Sequence, residues 1–199
     1  MTVRRQTLAD VAAVTRVRAA GWRAAYDGIV PARFLAEMEP TPASIARAKD
    51  HFRQRGPQVH SFVAVQGVAQ GSAAADSSAG GDVIGFLVGG PDRDVGPPAG
   101  EIWAIYVDPL FWGGGVGKML LNAGVQALQA AGRNPISLWV LEQNRQARGF
   151  YEHQGFVATG ERRDIELGAP VPEVKYELRA HRSSGGERRL GRADVGGTG

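Results

Sequence analysis

The residues with the clearest chemical meaning are four glycines within five positions, Gly113, Gly114, Gly115 and Gly117. They lie in the run Val107-Asp108-Pro109-Leu110-Phe111-Trp112-Gly113-Gly114-Gly115-Val116-Gly117-Lys118-Met119-Leu120-Leu121. A β-branched and aromatic segment precedes them and an apolar helical pattern follows, so the stretch reads as strand, glycine loop and helix start. Glycine lets the backbone turn through φ > 0 and lets a ligand approach the amides, because no Cβ intervenes. The first-turn N–H groups of the helix lack intrahelical acceptors and carry the positive end of its dipole, which makes the loop an anion site suited to a diphosphate. Two nucleotide loops are excluded by the letters. A triphosphate loop needs glycine, four further residues and then Gly-Lys-Ser/Thr, whereas Trp112 holds the first place and Met119 follows Lys118. The dinucleotide fingerprint fails because Lys118 or Leu120 stands where its third glycine belongs.

The elements that must position this loop can be read along the chain. Thr2 to Arg5 forms a short strand, and Thr7 or Asp10 caps a helix carrying Leu8, Val11, Val14 and Val17 at helical spacing. Ala20 to Pro31 is expected to break that helix and restart it near Pro31. A further helix follows Thr41-Pro42, and strands are expected at His60 to Val68 and Val83 to Val88. Between those strands the 70–81 segment is small, polar and expected to be a floppy hairpin loop, and Gly89 to Gly100 a second surface loop. Glu101 to Val107 is apolar enough to be a central buried strand that delivers the chain to the glycines. Val116, Leu120, Leu121, Val125 and Leu128 then mark a helix ending near Gly132. Ile136 to Leu141, Phe156 to Glu161 and Val174 to Leu178 complete the strands, the last two around a loop holding Gly168, Pro170 and Pro172.

Composition narrows the classes. The chain has 199 residues, 43% hydrophobic, no cysteine and a formal charge of +3. That suits one domain over residues 1–180 with a disordered tail over 181–199. Without cysteines there are no disulfides and no thiolate metal sites, and a metal is not expected. No apolar run is long enough to cross a bilayer and the start lacks a leader pattern, so a cytoplasmic protein is expected. The basic residues are scattered among acids without an aromatic stripe, which disfavours nucleic acid as a partner.

Asn144-Arg145-Gln146-Ala147-Arg148-Gly149-Phe150-Tyr151-Glu152-His153-Gln154-Gly155-Phe156 adds a second motif, a short helix closed by Gly155 before a strand. Gly115-Val116-Gly117 resembles the second half of the coenzyme A loop of the GNAT N-acetyltransferase superfamily, Gln/Arg-x-x-Gly-x-Gly/Ala, with Trp112 in place of its first residue. The order Asn, Ala, Phe-Tyr, Gly-Phe resembles the next GNAT motif, at a fitting distance. The resemblance implies an α/β (α+β) fold: a mixed, strongly twisted sheet with helices on both faces and a V-shaped splay between its two central strands. It also implies acetyl-CoA as co-substrate and direct transfer of its acetyl group to a primary amine of a small molecule or protein.

By the same resemblance a bulge in the central strand frees backbone groups, with the Ile105 N–H on the thioester oxygen, Val107 on the pantetheine arm and Tyr106 between them among the cofactor-binding residues. Gly113, Gly114, Gly115, Val116, Gly117 and Lys118 would hold the diphosphate, and Asn144 would contact the pantetheine. Tyr151 matches a tyrosine placed beside the coenzyme A sulfur as general acid. Glu101 matches a glutamate used as general base, or is a strand-end acid with water as the base. The Trp-x-x-x-Tyr-x-Gly-x-x-Pro pattern from Trp22 and Tyr26 resembles the acceptor wall of small-molecule members, although both aromatics also suit a plain core. With Trp103, Glu101 and Glu173 they would form an aromatic, acidic pocket for a cationic amine. The acceptor stays open, as does a homodimer, and a non-catalytic coenzyme A binding module is the alternative.

Overall fold

The structure, a computed structural model, describes residues 1–67 and 81–178. The 70–81 loop, but for Gly81, and the 181–199 tail lie outside these residues. Seven strands, β1 (Thr2–Arg5), β2 (His60–Gln66), β3 (Asp82–Pro91), β4 (Gly100–Val107), β5 (Ile136–Leu141), β6 (Phe156–Glu166) and β7 (Pro170–Leu178), form one sheet in the order β1-β2-β3-β4-β5-β7-β6. Every neighbouring pair is antiparallel except β4 and β5, which run parallel. The helices are α1 (Val11–Tyr26), α2 (Ala32–Ala36), α3 (Pro42–Arg53), α4 (Val116–Ala130) and α5 (Arg145–His153).

Two cores cover the two faces of the sheet. Leu120, Leu121 and Leu128 of α4 pack with Leu87, Ile102 and Leu138 on one face, and Val14 and Val17 of α1 pack with Val63, Phe86 and Val88 on the other. Each fully buried leucine in this layer stabilises the fold by about 1.5–3 kcal/mol, so the α4 face holds the glycine loop firmly to the sheet.

The feature that makes a site is the junction of β4 and β5. They pair only at Gly100–Ile136, Glu101–Ser137 and Ile102–Leu138; beyond these β5 continues on β7 and β4 continues on β3. The V-shaped splay is therefore present. It coincides with a bulge: Val88 pairs with Ala104 and Gly89 with Ile102, leaving Trp103 as an extra residue in β4. An extra residue inverts the alternation of faces. Trp103, Ala104 and Tyr106 accordingly lie on the α1 face, while Ile102, Ile105 and Val107 lie on the α4 face.

Three expectations are corrected. The first helix does not break at Gly21 but runs to Tyr26. A Cβ at Gly21 would stand 3.1 Å from Tyr106 Cδ1, so this glycine serves a close helix-to-strand approach. β3 continues through Gly89 and Gly90 to Pro91, because Glu101 and Ile102 of β4 pair with that segment. β6 and β7 are also longer than the residue pattern suggests, with Pro170 and Pro172 inside β7. The missing N–H of Pro172 does no harm there, since β5 ends opposite Glu173.

Candidate active site

The splay opens into a cleft of about 490 Å³ between β4, β5, the glycine loop and α5. At its floor Gly115 caps α4 with φ of 79° and Gly113 has φ of 76°, conformations that L side chains rarely adopt. The first α4 donor bonded back is Met119, to Gly115 O at 3.1 Å; the N–H groups of Gly115, Val116, Gly117 and Lys118 have no such partner. Nothing lies within 4 Å of a Cβ built on Gly113 or Gly115. The result is a bare concave row of donors at the positive end of a fifteen-residue helix, which fits an anion such as a diphosphate. Gly113, Gly115, Val116, Gly117 and Lys118 line the cleft. Gly114 does not, and its N–H turns back to Phe111 O at 3.3 Å.

The wall above the loop is β4 itself. Asp108 N–H donates to Ile84 O, on the β3 side, whereas Val107 O accepts from the Trp112 indole at 2.9 Å, on the cleft side. Backbone groups of a strand alternate sides from residue to residue, so Ile105 presents its N–H and C=O to the side that β5 has left. A thioester lying along this strand would meet an unpaired Ile105 N–H. Val107 has its carbonyl engaged by Trp112, the residue that departs from the GNAT loop pattern.

Across the cleft, α5 begins at Asn144, whose Oδ1 accepts from Ala147 N–H at 3.0 Å. Asn144 thus lines the cleft as a helix cap, with Oδ1 already used. One turn on from Ala147, Tyr151 is buried against Phe150 and Phe156 and lines the cleft. Burial, and then the neighbouring Tyr106, push its phenol well above the ordinary tyrosine range. Such a phenol keeps its proton at neutral pH and can donate it.

Beyond Tyr151 lies an aromatic and acidic corner. Tyr26 and Tyr106 share a hydrogen bond of 3.0 Å between their hydroxyls. Burial chiefly, then the Tyr106 charge and hydrogen bond, raise Tyr26 well above the ordinary range, with Tyr151 and Glu173 adding to the shift. Burial likewise raises Tyr106. The Glu173 carboxylate lines the cleft and accepts from Arg163 Nε at 3.1 Å. Arg163 in turn lies 4.1 Å from the centre of the Trp139 ring, another lining residue.

The structure thus brings together on one cleft Ile105, Tyr106, Val107, Gly113, Gly115, Val116, Gly117, Lys118, Asn144 and Tyr151, along with Tyr26 and Trp103. Besides Gly114, two expected residues lie off the cleft. Trp22 packs on Tyr26, Phe34 and Tyr106 behind the wall rather than on the cleft. Glu101 is fully buried away from the cleft, where it accepts from the Arg93 backbone N–H at 3.0 Å and Nε at 3.0 Å and from its terminal guanidinium nitrogen. Sequence reading missed Trp139 and Arg163, which carry no motif and enter the corner only through the β5-β7-β6 pairing. Among the described residues no group of three or more His, Asp or Glu could hold a metal, and no helix is long and apolar enough to cross a membrane.

Comparison with known proteins gives a consistent picture. A family model described as Acetyltransferase (GNAT) family matches residues 30–156. A mycothiol acetyltransferase of Propionibacterium freudenreichii is 32% identical over 109 residues, 54% of this chain and 34% of that protein. The peptidyl-lysine N-acetyltransferase YjaB of Salmonella typhimurium is 39% identical over 69 residues, 35% of this chain and 44% of that protein. The chain therefore spans less than half the length of these relatives. Among solved structures, yncA of Salmonella typhimurium with its cofactor acetyl-CoA has a TM-score of 0.62 at 20% identity, covering 90% of this chain and 93% of that one. The PaiA N-acetyltransferase of Thermoplasma acidophilum in complex with coenzyme A has a TM-score of 0.58 at 18% identity, covering 89% and 98%.

Proposed function

The chain belongs to the GNAT acetyltransferase family, and from that premise we propose that it transfers an acetyl group from acetyl-CoA to a primary amine, directly within a ternary complex. The observation that carries the reading is the union of two features in one cleft: the unpaired N–H row at the start of α4, and Tyr151 lining the same space as the β4 residues that β5 has left. Neither is needed by a folded sheet for its own sake.

Each chemical demand meets a residue. The α4 amides hold the diphosphate, and the unpaired β4 backbone aligns the pantetheine arm. The Ile105 N–H stabilises negative charge on the thioester oxygen as the amine attacks, the role of an oxyanion donor. An amine is protonated in water and must lose a proton before it attacks; Glu173, the carboxylate that lines the cleft, takes it directly or through water. When the carbon–sulfur bond breaks, Tyr151 gives its proton to the thiolate. A phenol carries its proton at neutral pH whether buried or not, and what suits Tyr151 to this step is its place on the cleft rather than the burial that raises its pKa. Here Glu173 replaces Glu101 as the base, because the Glu101 carboxylate is buried against Arg93 and outside the cleft.

The acceptor corner, with Tyr26, Trp103, Trp139 and Glu173, suits a cationic group held by aromatic faces and one carboxylate. A single domain over residues 1–180 and a cytoplasmic setting belong to the same proposal, supported by a chain with no cysteine. The deciding experiment is turnover of acetyl-CoA with a panel of primary amines, read as free thiol and as acetylated product. Acetyl-CoA binding with no acetylated product from any amine or lysine peptide would refute the catalytic reading.

A further inference from the structure

Arg163 lies off the cleft but touches the carboxylate that lines it. Strand register brings the two together. Arg163 stands directly opposite Glu173 across β6 and β7, and Glu173 stands opposite Leu141 across β7 and β5. Trp139, on β5 before Leu141, shares their face of the sheet. Arg163 Nε donates to Glu173 Oε2 at 3.1 Å, and its Nη1 donates to Asp94 Oδ1 at 3.2 Å and Oδ2 at 3.3 Å. The guanidinium lies 4.1 Å from the centre of the Trp139 ring, and the Trp139 indole donates to Asp94 Oδ2 at 3.0 Å. Asp94, Arg163 and Trp139 thus form a closed ring of contacts, with Glu173 attached to it.

This ring is itself pinned to the sheet. The Asp94 backbone N–H donates to Asp92 Oδ1 at 2.9 Å, and the buried Asp92 accepts from the Ser137 hydroxyl of β5 at 2.7 Å. Folding alone gives little reason for so many constraints on one guanidinium. The Arg163 and Asp94 side chains are 34% and 41% exposed, and a pair so open to water contributes little to stability. Its effect falls on Glu173, a flexible carboxylate whose rotamer freedom the contact removes. Arg163 engages Oε2, and among the described residues Oε1 has no hydrogen-bond partner.

We propose that Arg163, held by Asp94 and Trp139, is a positioning residue for Glu173, keeping one carboxylate oxygen engaged so that the other is left for the amine. The proposal rests on the reading of Glu173 as the base. Arginine suits the task because its planar fork can serve two carboxylates and stack on an indole at once, which the single ammonium of lysine cannot do. A base displaced by about 1 Å costs up to about 10²-fold in rate, so the effect of losing Arg163 belongs in the chemical step.

The test is the single-turnover rate of acetyl transfer from saturating acetyl-CoA to each primary amine that the wild type acetylates, in Arg163→Gln, Arg163→Lys, Glu173→Gln and the double variant Arg163→Gln/Glu173→Gln. Arg163→Gln should slow transfer by about ten- to a hundred-fold, leave the affinity for acetyl-CoA within about twofold and lower Tm by no more than about 4 °C. Arg163→Lys should recover only part of the rate. In the Glu173→Gln background the Arg163→Gln exchange should change the rate by less than about twofold, because a residue that acts through Glu173 has nothing left to position; a purely structural role would slow both backgrounds alike. The proposal is overturned if Arg163→Gln transfers at the wild-type rate, if Arg163→Lys restores that rate in full, or if Arg163→Gln slows the Glu173→Gln protein as much as the wild type. A Glu173→Gln protein with undiminished rate instead refutes the base reading, and this proposal falls with it.

Discussion

Exchanging Glu101 and Glu173 for glutamine, one at a time, separates a carboxylate that holds the fold from one that does chemistry. The Glu101 side chain is 1% exposed and its partner Arg93 is 53% exposed. It accepts from the Arg93 guanidinium and from the Arg93 backbone N–H. Hydrogen bonds to a charged group contribute about 1.5–3 kcal/mol each. Glutamine keeps one acceptor oxygen, and the half-exposed Arg93 can be rehydrated. The net loss for Glu101→Gln should therefore be about 2–4 kcal/mol, at or below the range for wholly buried pairs. For a domain of this size that lowers Tm by roughly 4–16 °C. Its kcat, measured well below the lowered Tm, should change by less than about threefold, because the residue touches neither the cleft nor a reacting atom. Glu173→Gln should do the reverse. Arg163 keeps Asp94 as a partner at 3.2 Å, so stability should move by about 1 kcal/mol or less. The loss of the base should lower kcat by about 10²–10⁴. Thermal melting and a thiol-release assay on the same preparations read both quantities. The reasoning is refuted if Glu101→Gln loses kcat at unchanged Tm, or if Glu173→Gln keeps its rate while chemistry limits turnover.

Three further outcomes are expected. Tyr151→Phe removes only a hydroxyl, so acetyl-CoA should bind with nearly unchanged affinity while kcat falls about ten- to a thousand-fold; equal turnover under rate-limiting chemistry would remove the general-acid role. Acetyl-CoA at about one hundred times its Kd should stabilise the wild type by about 2.7 kcal/mol, a rise in Tm of roughly 5–10 °C. Gly115→Glu, which puts a carboxylate among the α4 amides at a φ of 79°, should abolish that rise, and a full shift in the variant would mean the diphosphate sits elsewhere. Tyr26, Tyr106 and Tyr151 all have folded-state pKa values raised above the unfolded value of about 10. Above that pH the unfolded chain therefore loses protons that the folded chain retains, and stability present in full below about pH 10 should decline through pH 10–11. Denaturant midpoints flat between pH 9 and 11 would contradict the burial of these phenols.

The parts of the fold legible in the sequence are those whose signal is local. The glycine loop, the α4 apolar repeat and the order of Asn144, Tyr151 and Gly155 lie within single elements, and each appears where the residues place it. The misread boundaries were decided by a distant partner. Gly21 reads as a helix breaker until Tyr106 is seen packed over it, and Gly89 and Gly90 read as loop until β4 is seen paired beside them. Trp139 and Arg163 come together beside Glu173 through strand order, which no local pattern encodes.

The most instructive failure concerns which side of β4 each residue faces. The resemblance offered Glu101 as a base for chemistry at Ile105, and strict alternation would keep Glu101, Trp103, Ile105 and Val107 on one face. The bulge at Trp103 cancels that inference, because one unpaired residue moves everything after it to the opposite face. Trp103 and Tyr106 then fall on the α1 side, while Ile105 and Val107 fall on the α4 side. Glu101, before the bulge, keeps its own orientation and is neutralised by Arg93 from the loop after β3. The same irregularity that releases β4 from β5 and exposes its backbone thus separates the strand's own glutamate from the reaction. On the proposed transfer, the carboxylate that takes the amine's proton comes from across the splay, and Glu173 of β7, opposite the last residue of β5, is the one among the described residues that lines the cleft.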